Sequence, residues 1–357
     1  MKKLIYSLIA LAAVIMWLPA NANRDSDFRR SEQFAFDVNS NSLLELFNHN
    51  GNVVIENTGE SRLNIEATVT GRARDLEEAK RITQKIKVIV KTEDGKITVS
   101  SDVPKSLKFD EFDVSYVVTM PEWLNINLSN KYGNVVANQL FGKTSIKVSY
   151  GSLKIKQLND RTGGFPTIDL AYCRESEIEE MQLGGINASY TNVAIGNGFA
   201  VAISSKFSKW KIGTAKSMAI EASYDNFSIA NVGKIDATMK YTDLNINGLQ
   251  TLGKISSEYG NVSVKNVDRD FSNIDIKTNF GNVTLSVAKL DGYSLNLKTK
   301  YGNIRTPKLG GVNQETTSTQ TFSYNSEQKT QTVKPTNDEP SGEIRINVNY
   351  GNININN

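Results

Sequence analysis

An aromatic residue followed by a short turn rich in glycine and asparagine recurs along most of the chain, and this repeat constrains the fold more than any other feature. The spacings between successive aromatic residues are 18, 22, 18, 17, 17, 17, 18, 21, 21 and 49 residues. With the aromatic residue as position 0, position +1 is glycine in six repeats and position +2 is asparagine in seven. The residues at position 0 are Tyr132, Tyr150, Tyr172, Tyr190, Phe207, Tyr224, Tyr241, Tyr259, Phe280, Tyr301 and Tyr350.

The residues that flank the turn are equally regular. Position −4 is Ile or Leu in ten of the eleven repeats, with Ala237 as the exception, and position +3 is apolar in ten, with Glu175 as the exception. Because side chains alternate along a strand, positions −4, −2 and 0 share one face, whereas +3 and +5 share a face of opposite parity. Both faces are apolar, so the chain must bend between 0 and +3, where Gly and Asn tolerate a positive φ.

This unit of strand, bend and strand predicts an all-β fold, a single-stranded parallel β-solenoid (β-helix) with rungs of about 17–22 residues. One unit cannot bury its own apolar face, but stacking in register at about 4.8 Å per rung buries it continuously. We expect aliphatic residues to stack inside, the aromatic rings to lean inward and the asparagine amides to bond from rung to rung. A twisted antiparallel sandwich, the alternative, predicts turns about every 8–12 residues instead.

The repeat is disturbed at both ends of the chain. Residues 23–125 contain degenerate repeats around Asn50-Gly51 and Asp94-Gly95, and an amphipathic stretch at 75–87 predicts a helix. We interpret 23–125 as an N-terminal capping segment, because an open solenoid end exposes unpaired strand edges.

The solenoid proper is then expected over residues 126–357. Within it, the segment 313–341 is polar, rich in Thr and Gln and nearly free of aliphatic residues. Such a segment cannot bury enough apolar surface to fold alone, so we predict a loop inserted in a late rung.

Residues 1–22 have the features of a secretory signal peptide. Lys2 and Lys3 precede an apolar run that ends at Leu18, and small residues before Asn23 provide a cleavage site. The run is short for a membrane-spanning helix, which needs about 20 residues. We therefore expect an exported protein (periplasmic, cell-surface or secreted) with no integral membrane segment after cleavage.

The charge of the chain argues against a nucleic-acid partner. The formal net charge is +3 and includes the two lysines of the signal peptide, so the mature chain is near neutral with its signs interspersed. Binding to nucleic acid relies on clustered Lys and Arg, and no such cluster is present in the sequence. We expect a protein or glycan partner of unknown identity.

The residue types needed for catalysis or metal binding do not converge, and we predict no catalytic, metal-binding or cofactor-binding residues and no cofactor. The acids at matching offsets, Asp225, Asp236 and Asp243, are scattered and interpreted as Asp in place of Asn at turns. His49 and Cys173 are the only residues of their types, which argues against base-activated nucleophiles and zinc. Calcium held by Asp225 and its turn would lack a spaced acidic motif.

The aromatic series itself allows two interpretations. The rings could form a sugar-binding platform, but their parity with the apolar −4 and −2 positions favours a place in the core. Four aromatic residues outside the series are then better candidates for a contact surface. They are Trp123, Trp210, Phe322 and Tyr324.

The recurring YGNV, FGNV and YGNI turns, together with the signal peptide, resemble the adhesin family that is also called the auto-transporter adhesin head or GIN domain. The resemblance covers the chain from about Asn50 onward. It implies a β-solenoid in the bacterial envelope and supplies no catalytic residues. We predict a non-enzymatic, adhesin-like interaction protein. A carbohydrate-active enzyme (a polysaccharide lyase or hydrolase) on the same scaffold, and a structural or envelope-stress component without ligand, are the alternatives.

Overall fold

The computed structural model describes residues 26–288, 290, 293–307, 314–323, 326–335 and 342–356. The predicted signal peptide lies outside these ranges. The described chain is almost entirely β-structure, and it divides between Arg174 and Glu175 into two compact units.

In its described residues, from Ser26 onward, the first unit contains twelve strands, one α-helix and one turn of 3-10 helix at Phe109–Glu111. The elements are β1 (Ser26–Asp37), β2 (Leu43–Asn48), β3 (Val53–Asn57), β4 (Arg62–Ala73), α1 (Leu76–Lys85), β5 (Lys87–Glu93), β6 (Lys96–Asp102), β7 (Phe112–Met120), β8 (Asn125–Lys131), β9 (Val135–Leu140), β10 (Thr144–Ser149), β11 (Leu153–Leu158) and β12 (Thr167–Ala171).

These strands form two rows in which neighbouring strands are hydrogen-bonded. One row runs β5-β6-β2-β8-β10-β12 and the other runs β1-β4-β7-β3-β9-β11. Pairing is parallel except at the start of each row, where β5 on β6, β1 on β4 and β4 on β7 are antiparallel. Each rung gives one strand to each row and bends between them.

The degenerate repeats within 23–125 have two different structures. The Asn50 repeat is a true rung, because Leu46 pairs with Leu128 and Val53 with Val135 of the Tyr132 rung. The prediction for Asp94-Gly95 is wrong, since these residues form the two-residue turn of the β5–β6 hairpin. Asp94 and Gly95 have φ of 49° and 78°, as the tight turns favoured by right-handed strand twist require.

The helix predicted near 75–87 is confirmed as α1. Asp75 caps it by accepting a hydrogen bond of 2.8 Å from the backbone N–H of Glu78. Ala79 and Ile82 are buried where the helix packs on β4 and β1, whereas Leu76, expected on the same face, is exposed. None of the helices in the described ranges is long and apolar enough to cross a membrane.

The described part of the second unit contains fourteen strands. They are β13 (Ser176–Ser189), β14 (Asn192–Lys206), β15 (Lys209–Ser223), β16 (Asn226–Lys240), β17 (Asp243–Glu258), β18 (Val262–Val267), β19 (Asn273–Asn279), β20 (Val283–Val287), β21 (Tyr293–Lys300), β22 (Ile304–Arg305), β23 (Gln314–Ser323), β24 (Ser326–Pro335), β25 (Gly342–Asn349) and β26 (Ile353–Asn356).

The first five strands of this unit are long and stack in parallel register. Ile186 pairs with Ile203 and Ile203 with Ile220, one rung apart in each case. After β17 the stack continues as two rows of shorter strands, β17-β19-β25-β21-β24-β23 and β17-β18-β20-β26-β22. The predicted parallel solenoid, with rungs of 17–22 residues, is therefore confirmed.

Stacking order and chain order differ at the C-terminal end. The last rung, β25 and β26, lies between β19 and β21 in one row and between β20 and β22 in the other. Tyr350 accordingly stacks between Phe280 and Tyr301. The gap of 49 residues between Tyr301 and Tyr350 contains β22, β23 and β24, so the rung of Tyr350 follows that of Tyr301 in the chain but precedes it in the stack.

The prediction of a loop at 313–341 is wrong for its described part, which forms the antiparallel hairpin of β23 and β24. β24 covers β21 in antiparallel register, with Val333 fully buried opposite Leu295. Without this strand, β21 would end its row as an open edge. The physical reason lies in the many threonines of the segment, because a β-branched side chain favours strand conformation even where the sequence is polar.

The frame of the repeat predicts a contrast between neighbouring residues of β19. Ile276 is fully buried and pairs with Ile255 and Ile346, whereas Lys277 is exposed. We expect Ile276→Ala to lower the free energy of unfolding by about 2–5 kcal/mol because it leaves a cavity. The control Lys277→Ala should change it by no more than about 0.5 kcal/mol. Equal losses in urea melts would show that the strand faces are assigned wrongly.

Candidate functional site

The aromatic residues of the repeat lie on the outside of the solenoid. In the second unit, eight rings at position 0 stack face to face with centroids 4.7–4.9 Å apart. Between 36% and 51% of each residue is exposed. We call these rings the aromatic ladder. In stacking order it consists of Tyr190, Phe207, Tyr224, Tyr241, Tyr259, Phe280, Tyr350 and Tyr301.

The prediction that these rings lean into the core is wrong, and the reason is the backbone at position 0. Every ladder residue has φ between 50° and 61°, in the left-handed region. The bend therefore begins at the aromatic residue itself. The alternation of side chains along the strand ends at position −1, so the ring at position 0 points outward. This conformation costs about 1–2 kcal/mol for a residue with a Cβ atom. Stacking of aromatic pairs contributes about 0.5–1.5 kcal/mol each and offsets this cost.

Glycine at position +1 is explained by the close approach of neighbouring rungs. A Cβ atom on Gly151 would collide with the carbonyl oxygen of Gly133, and one on Gly260 with that of Thr242. The glycine is thus required for backbone packing, whereas the positive φ that was expected there belongs to the aromatic residue before it.

The ladder presents ring edges and phenol hydroxyls to solvent, because each interior ring has both faces against its neighbours. The hydroxyls of Tyr224, Tyr241, Tyr259 and Tyr350 make no hydrogen bond to any other described residue. A platform that stacks sugars on open ring faces does not fit this arrangement. A row of free hydroxyls about 4.8 Å apart does offer repeated hydrogen bonds to a ligand.

A shorter stack occurs in the first unit and is closed at one end. Tyr132, Tyr150 and Tyr172 stack with centroids 4.9–5.0 Å apart. Phe109 packs edge-on against Tyr132 at 4.7 Å, and the exposed ring of His49 packs edge-on against it at 5.5 Å. Phe109 and His49 therefore close this stack at its Tyr132 end.

The predicted amide ladder at position +2 is confirmed. The Oδ1 atom of Asn261 accepts the backbone N–H of Asn282 at 3.1 Å, and Asn282 accepts that of Asn352 at 3.0 Å. Asn352 in turn accepts the backbone N–H of Asn303 at 2.9 Å. Lys329 of the hairpin donates to Oδ1 of Asn303 at 2.7 Å and occupies the last acceptor. The series holds the rungs in register beside the aromatic ladder.

A groove of about 670 Å³ runs across the strands of the second unit beside the aromatic ladder. It crosses β14, β15, β16, β17, β19 and β25, and six of the eight ladder rings follow directly after a groove residue in the chain. We call it the ladder groove. Its outward side chains, at positions −3 and −1, are Ser204, Lys206, Glu221, Ser223, Thr238, Lys240, Ser256, Glu258, Lys277, Asn279, Asn347 and Asn349.

Asp225, which was interpreted as Asp in place of Asn at a turn, is buried at position +1 among other polar side chains. Its carboxylate accepts hydrogen bonds from the backbone N–H of Ser208 at 2.5 Å and of Ser223 at 3.0 Å. It also accepts from the hydroxyl of Ser205 at 3.1 Å. Burial raises the pKa of this carboxyl group, although the three hydrogen bonds oppose the effect. The sequence did contain a sign of this polar cluster, because position +1 is Thr or Ser in the neighbouring rungs, at Thr191, Ser208 and Thr242.

The other candidate acids have separate structural roles. Asp243 stands in the amide ladder, where its Oδ1 accepts the backbone N–H of Asn261 at 2.9 Å. Asp236 pairs with Lys254 at 3.3 Å on the surface. Within the part of the chain that the structure describes, no group of three or more His, Cys, Asp or Glu side chains could hold one metal ion. The three acids thus do not form a common site.

The two tryptophans that were candidates for a contact surface are not both at the surface. Trp210, predicted to be exposed, is buried at position +3 and donates from Nε1 to the hydroxyl of Ser205 at 2.8 Å. Trp123 is half-buried, and Cys173 is fully buried at position +1. The side chain of Phe322 and all of Tyr324 lie outside the described residues.

Comparison with protein families shows a match to the model described as Toastrack DUF4097, over residues 41–356. The name GIN domain, suggested by the turns, is not confirmed by this match. No curated protein is significantly similar to the chain.

Solved structures similar to the chain include a putative adhesin from Parabacteroides merdae, at 13% identity and a TM-score of 0.35, over 73% of this chain and 96% of that one. A putative adhesin from Parabacteroides distasonis has 12% identity and a TM-score of 0.31, over 72% and 90%. A putative cell adhesion protein from Clostridium sporogenes has 11% identity and a TM-score of 0.18, over 92% and 99%. Identity and TM-score are low in all three cases, so the likeness does not extend to a function.

The buried carboxyl of Asp225 predicts a pH dependence of stability. Its pKa is raised in the folded state, so the folded chain takes up this proton at a higher pH than the unfolded chain, whose Asp titrates near pH 3.9. The resulting stabilisation is fully present below the unfolded pKa and is lost as pH rises through the folded one. We expect the free energy of unfolding of the native chain, relative to Asp225→Asn, to increase from pH 7 toward pH 4. Parallel curves in urea melts would contradict this.

Proposed function

The chain belongs to the Toastrack DUF4097 family, and we propose that it is an exported, non-enzymatic interaction protein of the bacterial envelope, adhesive in role, that presents its aromatic ladder to a protein or glycan partner. The solenoid is then a scaffold that repeats one set of surface groups at the spacing of its rungs.

The observation that carries this proposal is the exposure of the aromatic ladder. Eight aromatic residues in one line, each 36–51% exposed, form a continuous surface that is apolar at the ring edges and polar at the hydroxyls. Contiguous apolar surface on a soluble protein is characteristic of interaction sites. Tyrosine is the residue type best suited to such a surface, because it combines a large rigid ring with one hydrogen-bonding group.

Export is supported by the first 22 residues, which combine two lysines, an apolar run and a small-residue cleavage site. The single cysteine, Cys173, is buried and leaves the chain without any intramolecular disulfide. The packing of the chain therefore stabilises the fold without a disulfide, so its stability is independent of the redox state of the compartment.

An enzyme on the same scaffold is less well supported. A lyase or hydrolase requires two carboxyl groups that face the substrate together. Asp225 is buried and hydrogen-bonded within its own rungs, Asp243 serves the amide ladder, and Asp236 is paired with Lys254. The two carboxyl groups that line the ladder groove, Glu221 and Glu258, lie on β15 and β17, which β16 separates, and Glu258 is paired with Lys240.

The role of the ladder hydroxyls is tested by a triple substitution, Tyr224→Phe with Tyr241→Phe and Tyr259→Phe. Phe207 and Phe280 occupy the same position in neighbouring rungs, so the rings should still stack and the melting temperature should be unchanged. We expect the mature chain to bind at least one member of a panel of glycans and matrix proteins. The triple variant should bind it roughly tenfold more weakly, since about three hydrogen bonds are lost.

The matched control makes the same change in the shorter stack, with Tyr132→Phe, Tyr150→Phe and Tyr172→Phe. Its binding should equal that of the unmodified chain. If the mature chain binds no member of the panel, or if the two triple variants bind equally, the ladder is a structural device only and the proposal fails.

Export is tested on protein purified from its native cell. We expect signal cleavage after Ala22, so N-terminal sequencing should begin at Asn23. The control is Ala22→Arg, which places a large charged residue at the cleavage site and should leave the precursor unprocessed. Recovery of the unmodified chain with Met1 intact would contradict the prediction.

A further inference from the structure

We infer that the ladder groove binds an uncharged polysaccharide chain laid along the axis of the solenoid. The inference rests on the proposed function and adds the chemical class of the partner. Four features of the groove carry it, namely the regular spacing of its polar groups, the alternating sign of its charges, its fully paired backbone and its free hydroxyl groups.

The groove presents its polar groups at a constant interval. In-register pairing aligns the −3 residues of successive rungs, so that Ser204 pairs with Glu221, and Thr238 with Ser256. The −1 residues form a second row parallel to the first. Rungs are about 4.8 Å apart, so the six strands span about 24 Å. Two straight rows of this kind match a linear polymer that repeats its own hydrogen-bonding groups.

The charges of the groove alternate in sign along the axis. Lys206, Lys240 and Lys277 face Glu221 and Glu258 from neighbouring rungs, and Lys240 Nζ lies 3.1 Å from Glu258 Oε2. A polyanion would meet the two carboxylates, and a polycation would meet the three ammonium groups. The partner that meets no repulsion at any rung is a chain without charge.

The hydrogen-bonding capacity of the groove belongs to side chains rather than to the backbone. The strands of the floor are paired with a neighbour on each side, which leaves no open edge for an extended peptide to extend the sheet. The apolar residues of these strands, such as Ile203 and Ile255, point into the core, so the groove lacks pockets for peptide side chains.

Hydroxyl groups are the most numerous free groups of the groove. Those of Ser204, Thr238 and Ser256 make no hydrogen bond to other residues in the described ranges. The free phenol hydroxyls of Tyr241 and Tyr259 border the same stretch. Hydroxyls that both donate and accept match the hydroxyls of a sugar chain, whereas a protein surface would require apolar anchors as well.

The test compares two triple variants that contain the same chemical changes on opposite rows of the solenoid. The groove variant is Ser204→Ala with Thr238→Val and Ser256→Ala. The control variant is Ser228→Ala with Thr284→Val and Ser263→Ala, whose side chains face outward on the other row. Each removes three outward hydroxyls and no core group, so the melting temperatures of both should equal that of the unmodified chain.

The probes are immobilised glucan, mannan and xylan as uncharged polysaccharides, alginate as a polyanion and gelatin as an extended polypeptide. We expect the mature chain to bind an uncharged polysaccharide more tightly than alginate or gelatin. The groove variant should bind that polysaccharide on the order of tenfold more weakly, whereas the control variant should bind it as the unmodified chain does.

Other outcomes would overturn the inference in distinguishable ways. Equal binding of polysaccharide by the two variants would place the site elsewhere and leave the proposed function standing. Binding of gelatin or alginate alone, reduced by the Tyr→Phe ladder variant, would make the partner a protein or a polyanion and likewise retain an interaction role. Absence of binding to every probe and to the wider panel would overturn both the inference and the proposed function.

Discussion

Stacking of like residue on like residue at the corner of each rung is the interaction on which the rest of this structure depends. From Tyr132 onward, each rung turns through an aromatic residue in a left-handed conformation, which is unfavourable for a single side chain with a Cβ atom. Ring stacking and the amide series beside it offset this cost only when the rungs are in register. Corner conformation, register and core burial are therefore coupled, since a slip of one residue would lose all three.

The same coupling determines what the surface can offer to a partner. Because the corner turns each aromatic side chain outward, an apolar row lies on the outside of the solenoid instead of in its core. Because register is strict, the polar residues beside it also form straight rows. The ladder groove thus follows from the way in which each rung closes, and the residues at positions −3 and −1 are free to vary in type without effect on the core.

Much of the fold was predictable from the sequence, because period-two burial and a recurring turn both leave strong patterns. The rungs, the helix at α1 and the amide ladder were predicted from these patterns. The outward direction of the rings was not, because the alternation rule holds within a strand and fails at a left-handed residue, and sequence does not mark which turn residue takes that conformation. Asp94-Gly95 could have been predicted as a hairpin turn, because an Asp-Gly pair favours the two-residue turns that join antiparallel strands. The hairpin at β23 and β24 was missed because polarity was weighed above the strand preference of threonine. The candidate site was predicted only in part. Trp210 was taken for a surface residue but belongs to the core, and the groove is formed by residues of six strands that only the register of the rungs brings together.

The position of β25 and β26 between rungs that precede them in the chain affects the order in which the protein can acquire its structure. Most rungs add to the rung before them, so the chain can fold progressively from its N-terminal side. The strands β21 and β22 cannot do so, because their neighbours in the stack are synthesised later, and Asn352 bonds to Asn282 across 70 residues. Contacts of such long sequence separation form slowly. The C-terminal end of the solenoid therefore closes last, and until then the edge of β19 is exposed to any strand that competes for it.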